Sequence, residues 1–138
     1  ATGTVTKKVT ITYKNPQPSS NCNLEAGQLC LNGVLRNYLR LYAPQGSQLV
    51  EALGFEENTS KTSEDLGKTV FEGFFKLQPQ SQAKVILTYK LPFKVTGKDY
   101  ALLIQKQPGS KTPHYTINLN GEIQEFDLTT DKELIIKL

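Results

Sequence analysis

The stretch Leu35-Arg36-Asn37-Tyr38-Leu39-Arg40-Leu41-Tyr42-Ala43-Pro44-Gln45-Gly46 decides the fold. Leu35, Leu39 and Leu41 alternate with Arg36, Tyr38, Arg40 and Tyr42, so apolar and polar side chains leave the backbone on opposite faces, as in a strand. Pro44-Gln45-Gly46 then supplies turn chemistry and closes the element. Working outward, the same period recurs along the chain. Val9, Ile11 and Tyr13 alternate with Lys8, Thr10 and Thr12 before Asn15-Pro16-Gln17-Pro18. A short run at 49–53 ends at Gly54. Phe71, Gly73, Phe75 and Leu77 alternate with Val70, Glu72, Phe74 and Lys76 before Pro79, and Val85, Leu87, Tyr89 and Leu91 precede Pro92.

Tyr100, Leu102 and Ile104 lead into the turn Gln107-Pro108-Gly109. Tyr115, Ile117 and Leu119 end at Asn120-Gly121, a strong tight-hairpin signal with 122–128 as the return strand. Leu134, Ile136 and Leu138 form the last strand. The polar segment 55–67 reads as a long exposed loop, with at most one helical turn at Ser63-Glu64-Asp65-Leu66 before Gly67. Eight or nine short strands with Pro and Gly between them predict an all-β protein, an antiparallel immunoglobulin-like β-sandwich more than a barrel. With no internal repeat or low-complexity linker, residues 1–138 are expected to form one domain.

Composition narrows the function classes. The 138 residues contain one histidine, two cysteines, no methionine and no tryptophan, so a metal cluster or histidine-based triad has almost no stock to draw on. His114 follows Pro113 where a strand begins, away from any nucleophile-elbow pattern. The acids lie mainly in loops (Glu56, Glu57, Glu64, Asp65, Asp127, Asp131), without calcium-loop spacing or an evident pair across a cleft. No phosphate-cradling glycine loop occurs. No enzyme, cofactor or metal is expected. Net charge is +3, carried between Lys76 and Lys111 by isolated lysines on strands, so nucleic acid is not an expected partner. No apolar run is long enough to span a bilayer. The start Ala1-Thr2-Gly3-Thr4 lacks an initiator methionine, which gives the expectation of a piece processed or excised from a longer chain.

Four features carry what functional signal there is. Cys22 and Cys30, with seven residues between them, fit neither a zinc site nor a redox CxxC. A disulfide pinning a loop and two free thiols remain, and the disulfide, with the oxidising compartment it implies, is the expectation. The stripe Arg36, Tyr38, Arg40 and Tyr42 offers guanidinium and phenol groups for a sugar, a peptide or a protein, if that face is open. Otherwise it pairs with acidic and aromatic neighbours across its own sheet. Phe71 and Phe75 share a core face, Phe74 points the other way, and Gly73 between them signals a bulge or a close approach. A Lys–Asn isopeptide bond would need a buried acid beside residues such as Lys7, Lys8, Asn118 or Asn120, and nothing in the sequence brings these together.

Three stretches carry a family resemblance: 36–47, 67–75 (Gly67-Lys68-Thr69-Val70-Phe71-Glu72-Gly73-Phe74-Phe75) and 100–109 (Tyr100-Ala101-Leu102-Leu103-Ile104-Gln105-Lys106-Gln107-Pro108-Gly109). Over about residues 5–120 the chain resembles the C-terminal β-sandwich region of a family of bacterial membrane-anchored extracytoplasmic proteins with no assigned activity. The resemblance implies location outside the membrane, at the cell surface or secreted, with membrane attachment only through an upstream anchor, and it supports the disulfide. The expected function is a non-enzymatic structural or protein-interaction module, displaying loops 14–33, 55–67 and 92–99 to other domains of its chain or another surface protein. The alternative is a carbohydrate-binding module using Tyr38, Arg40 and Tyr42 on cell-wall or extracellular glycans.

Overall fold

The computed structural model describes residues 3–109 and 111–137, so Leu138, expected to close the last strand, lies outside the described residues. Those residues form ten strands and no helix. They are β1 (Gly3–Asn15), β2 (Leu35–Pro44), β3 (Gln48–Leu53), β4 (Lys61–Asp65), β5 (Lys68–Leu77), β6 (Ser81–Val95), β7 (Asp99–Ile104), β8 (His114–Leu119), β9 (Glu122–Asp127) and β10 (Lys132–Lys137). The chain falls into two compact units, one spanning Thr4–Lys94 and the other built from the strands after Val95.

The first unit holds two three-stranded sheets, ordered β1-β6-β3 and β2-β5-β4. Period-two patterning sends one face of each into a common apolar cluster. Leu39, Ala43, Phe71 and Phe75 come from one sheet, and Val85, Leu87, Tyr89 and Leu91 from β6 of the other. Tyr13 meets Phe75 at 4.7 Å between ring centroids, and Phe71 meets Tyr89 at 5.2 Å. Phe71 and Phe75 are almost wholly buried, each contributing about 1.5–3 kcal/mol from removal of apolar surface from water. Leu35 departs from the expected inward face: at the start of β2 it remains 45% exposed.

Strand β5 occupies the middle of its sheet. It pairs antiparallel with β2 from Leu77↔Leu35 to Lys68↔Pro44, and with β4 from Glu72↔Lys61 to Lys68↔Asp65. From Thr69 to Phe75 only Phe74 escapes full burial, which is the signature of a strand covered on both faces. Gly73 sits in an unbroken β2–β5 register, so it marks a close approach and not a bulge. A Cβ there would come within 2.8 Å of the Phe55 ring, which packs against the core at this point. The bulge of this unit lies on β3, where the register shifts between Leu49 and Glu51 and leaves Val50 unpaired.

Two expectations are corrected here. The 55–67 segment is not a long loop, and Ser63–Leu66 is not a helical turn, because β4 occupies Lys61–Asp65. The β4–β5 connection is the tight turn Leu66-Gly67, with positive φ of 51° and 65° as two-residue hairpins require. Strand β6 also runs through Pro92 to Val95. Pro92 lies beyond Lys90, the last β6 residue in register with β3.

In the second unit β7 pairs antiparallel with β10, and β8 with β9. Asn120 and Gly121 form the β8–β9 turn with φ of 51° and 95°. Tyr115 stacks on Phe126 at 5.8 Å, and the Lys132 ammonium lies 4.0 Å from the Phe126 ring centre.

Gly73→Ala is expected to lower the unfolding free energy by about 1–3 kcal/mol through overpacking against Phe55. In urea titrations the same substitution should cost less in a Phe55→Ala background. An equal cost in both backgrounds would show that the ring is not what excludes the Cβ.

Candidate functional site

Alternation along β2 places Arg36, Tyr38, Arg40 and Tyr42 together on the face turned away from the core. Their cross-strand partners on β5 are Lys76, Phe74, Glu72 and Val70 respectively. The stripe is therefore continuous, as its spacing predicted. What the sequence did not reveal is how completely neighbouring residues occupy it.

Glu72 is the centre of this face. Its side chain is only 4% exposed, yet it carries a charge. Arg40 Nε donates to it at 2.8 Å, Ser63 Oγ at 2.9 Å, and Lys61 Nζ lies 3.2 Å away. The Tyr38 hydroxyl lies near enough to help stabilise the carboxylate charge. Burial by itself would raise the carboxyl pKa, but the hydrogen bonds from Tyr38, Ser63, Lys61 and Arg40 outweigh it and hold the group at about 2. The same bond works in reverse on Tyr38, whose pKa is raised chiefly because its proton is shared with Glu72.

The remaining groups are arranged around this centre. Arg40 Nη2 reaches Asp65 Oδ2 at 3.0 Å, and the Tyr42 hydroxyl donates to the same oxygen at 3.0 Å. Arg36 grips Glu56 through Nε and Nη2 at 2.8–3.1 Å and lies 4.2 Å above the Phe74 ring, against which Tyr38 also packs at 4.6 Å. That bond lowers the Glu56 pKa despite an opposing desolvation effect. Arg36 and Lys76 are like charges directly opposite each other, and Glu56 offsets their repulsion.

Glu56 is brought there by a short turn. Its N–H donates to Phe74 O at 2.7 Å, Thr59 Oγ1 donates to Glu56 O at 2.8 Å, and Phe74 N–H donates to Thr59 Oγ1 at 3.2 Å. Glu56, Asp65 and Glu72 were not identified as site residues from sequence. Glu72 alone left a signal, an acid embedded between Phe71 and Gly73 in an otherwise apolar run.

The second feature is the Cys22–Cys30 loop. The two sulfurs are bonded, with Cα atoms 4.2 Å apart. Asn32 fixes the neck of the loop: its N–H donates to Ser20 Oγ at 2.8 Å, its side-chain amide donates to Gln17 O at 3.0 Å and to Pro18 O, and its Oδ1 accepts from Asn15 at 3.1 Å. Leu24, Leu29 and Leu31 stand 70%, 68% and 81% exposed on this pinned loop.

The other candidate residues do not converge. His114 Nδ1 lies 2.8 Å from Asp127 Oδ1 on an exposed cross-strand pair. Asn118 Oδ1 accepts the Gly121 N–H within the β8–β9 turn. Among the described residues no group of histidine, cysteine and acidic side chains is arranged to hold a metal ion. A surface depression lined by Lys14, Asn15, Pro16, Gln80, Ser81 and Gln82 contains no acid, histidine or cysteine. Comparisons with protein-family models, curated proteins and solved structures found no match.

Two outcomes test this geometry. Glu72 is charged in the folded chain down to about pH 2, whereas an unfolded glutamate titrates near 4.3. Its stabilisation is thus full above about pH 5 and is lost as pH falls towards 2. Glu72→Gln is expected to cost about 1–3 kcal/mol at pH 7, with the gap to wild type closing on acidification. A gap constant with pH would contradict the charged anchor. For the loop, Cys22→Ser with Cys30→Ser should lower stability by about 2–3 kcal/mol on the chain-entropy account, and wild type should gain the mass of two hydrogens on reduction. No mass change would mean free thiols.

Proposed function

We propose that this chain is a non-enzymatic β-sandwich module of immunoglobulin-like type, working outside the cytoplasmic membrane to present a preformed loop to a protein partner. The observation that carries the reading is the stapled loop. Three leucines held in solvent on a short segment, pinned by Asn32 and closed by a disulfide, form an apolar contact surface whose ordering cost is met before binding. The disulfide favours an oxidising compartment. The family resemblance points to the same place, with the chain as one part of a surface protein whose anchor lies upstream. Partners are then other domains of that protein or a second surface protein.

A carbohydrate-binding role is the second reading, favoured by one observation: Tyr38 and Tyr42 are each 44% exposed on a flat strand face. Against it, the Tyr42 hydroxyl is committed to Asp65 and Arg40 to both Asp65 and Glu72. A sugar would have to break these bonds to use the polar groups.

Replacing Leu24, Leu29 and Leu31 together by serine should change stability by no more than about 0.5 kcal/mol per site, as for surface positions, while shortening retention on a hydrophobic-interaction column. A large loss of stability would show that the leucines pack into the fold and are not displayed. A glycan array with a peptidoglycan pull-down separates the two readings. Display predicts no binding, whereas a signal abolished by Tyr38→Ala and Tyr42→Ala would replace it with sugar recognition. Turnover of a cell-wall substrate, lost on an acid-to-amide change, would overturn both.

A further inference from the structure

Strand β2 ends the order β2-β5-β4, and no described strand pairs with its outer side. Every second backbone N–H and C=O of this edge therefore points away from β5. Natural edge strands are guarded by short length, bulges, charged side chains (lysine above all) or prolines. β2 carries two such charges, Arg36 and Arg40, but both are paired with acids of the same copy. Otherwise it is ten residues long, keeps unbroken register with β5 from Leu35 to Pro44, contains no lysine and has its only proline at the last position.

We propose that two copies of this chain join through β2, edge to edge and antiparallel, about a two-fold axis at Leu39. The register follows from the side chains. Centred on Leu39, Arg36 lies opposite Tyr42 of the second copy and Tyr38 opposite its Arg40, and the two-fold axis repeats both pairs. All four outward pairs then join a guanidinium to a phenol, a stacking and cation–π match with no like charges face to face. Moving the centre to Tyr38 sets Arg36 against Arg40, and moving it to Arg40 sets that residue against itself. A slip of one residue turns inner-face leucines towards arginines.

Within each copy, Glu72 and Asp65 already compensate the Arg40 charge, which reduces repulsion across the seam. On the inner face Leu39, 7% exposed, meets its own counterpart, Leu35 lies opposite Ala43 and Asn37 opposite Leu41, so the layer across the seam is apolar except for Asn37. The joined sheet has six strands in the order β4-β5-β2-β2-β5-β4. The pairing stands on the edge position and pattern of β2, so its failure would leave the displayed-loop reading in place.

Sedimentation equilibrium of the whole chain tests the pairing. The weight-average mass should rise from 15.4 kDa in the low-micromolar range towards twice that value at several hundred micromolar. A mass that stays at the monomer value throughout overturns the proposal. The double substitution Y38R/Y42R places like charges at all four outward pairs and should weaken association at least tenfold, with a lower thermal midpoint because it also removes the Tyr42 bond to Asp65. Association as tight as wild type would assign the dimer to another surface and overturn it equally. Tyr42→Lys, which keeps a group able to bond Asp65, sets like charges at two of the four pairs and should weaken association without lowering the midpoint. Association as tight as wild type in this variant would likewise overturn the proposal.

Discussion

The Glu72 carboxylate, buried at the middle of β5 and bonded by side chains from both neighbouring strands, is the interaction on which the outer face depends. Tyr38 and Arg40 reach it from β2, and Lys61 and Ser63 from β4. An isolated charge in this position would cost several kcal/mol, and Arg40, Ser63 and Lys61 convert that cost into a cross-link between three strands. The inner face of β5 is held by Phe71 and Phe75. The strand is thus fixed on one side by apolar burial and on the other by a satisfied ion network, which explains why its sequence looks more apolar than amphipathic.

This network also determines what the stripe can do. Alternating arginines and tyrosines invite a ligand-binding interpretation, and the same residue types serve that purpose in many recognition surfaces. Here Glu56, Asp65 and Glu72 engage the polar groups internally. What remains outward-facing is flat ring and guanidinium surface beside an open strand edge. Leu24, Leu29 and Leu31 offer the opposite chemistry, apolar contact without charge, on a separate part of the same unit.

The all-β class was legible because period-two alternation needs only local sequence, and the positions of β1, β2, β3 and β5 follow directly from it. β4 was not legible, since Lys61-Thr62-Ser63-Glu64-Asp65 is polar on both faces and gives no alternation to detect. Its strand conformation comes from pairing with β5 and from the charge of Glu72, both tertiary effects. Pro92 misled in a similar way, because whether a proline ends a strand depends on whether a neighbouring strand needs its N–H. The cysteine pairing was legible from two residues with no other partner chemistry. The acids that engage the stripe were not, because Glu56, Asp65 and Glu72 come from a turn and two other strands.

A carboxyl-carbon NMR titration of Glu72 in the intact chain tests the central claim most directly. A charged anchor held by Arg40, Lys61 and Ser63, with Tyr38 beside it, predicts a midpoint of about 2. A midpoint near the ordinary glutamate value of about 4.3 would contradict it, and would mean that the outer face of β5 is not held by this carboxylate.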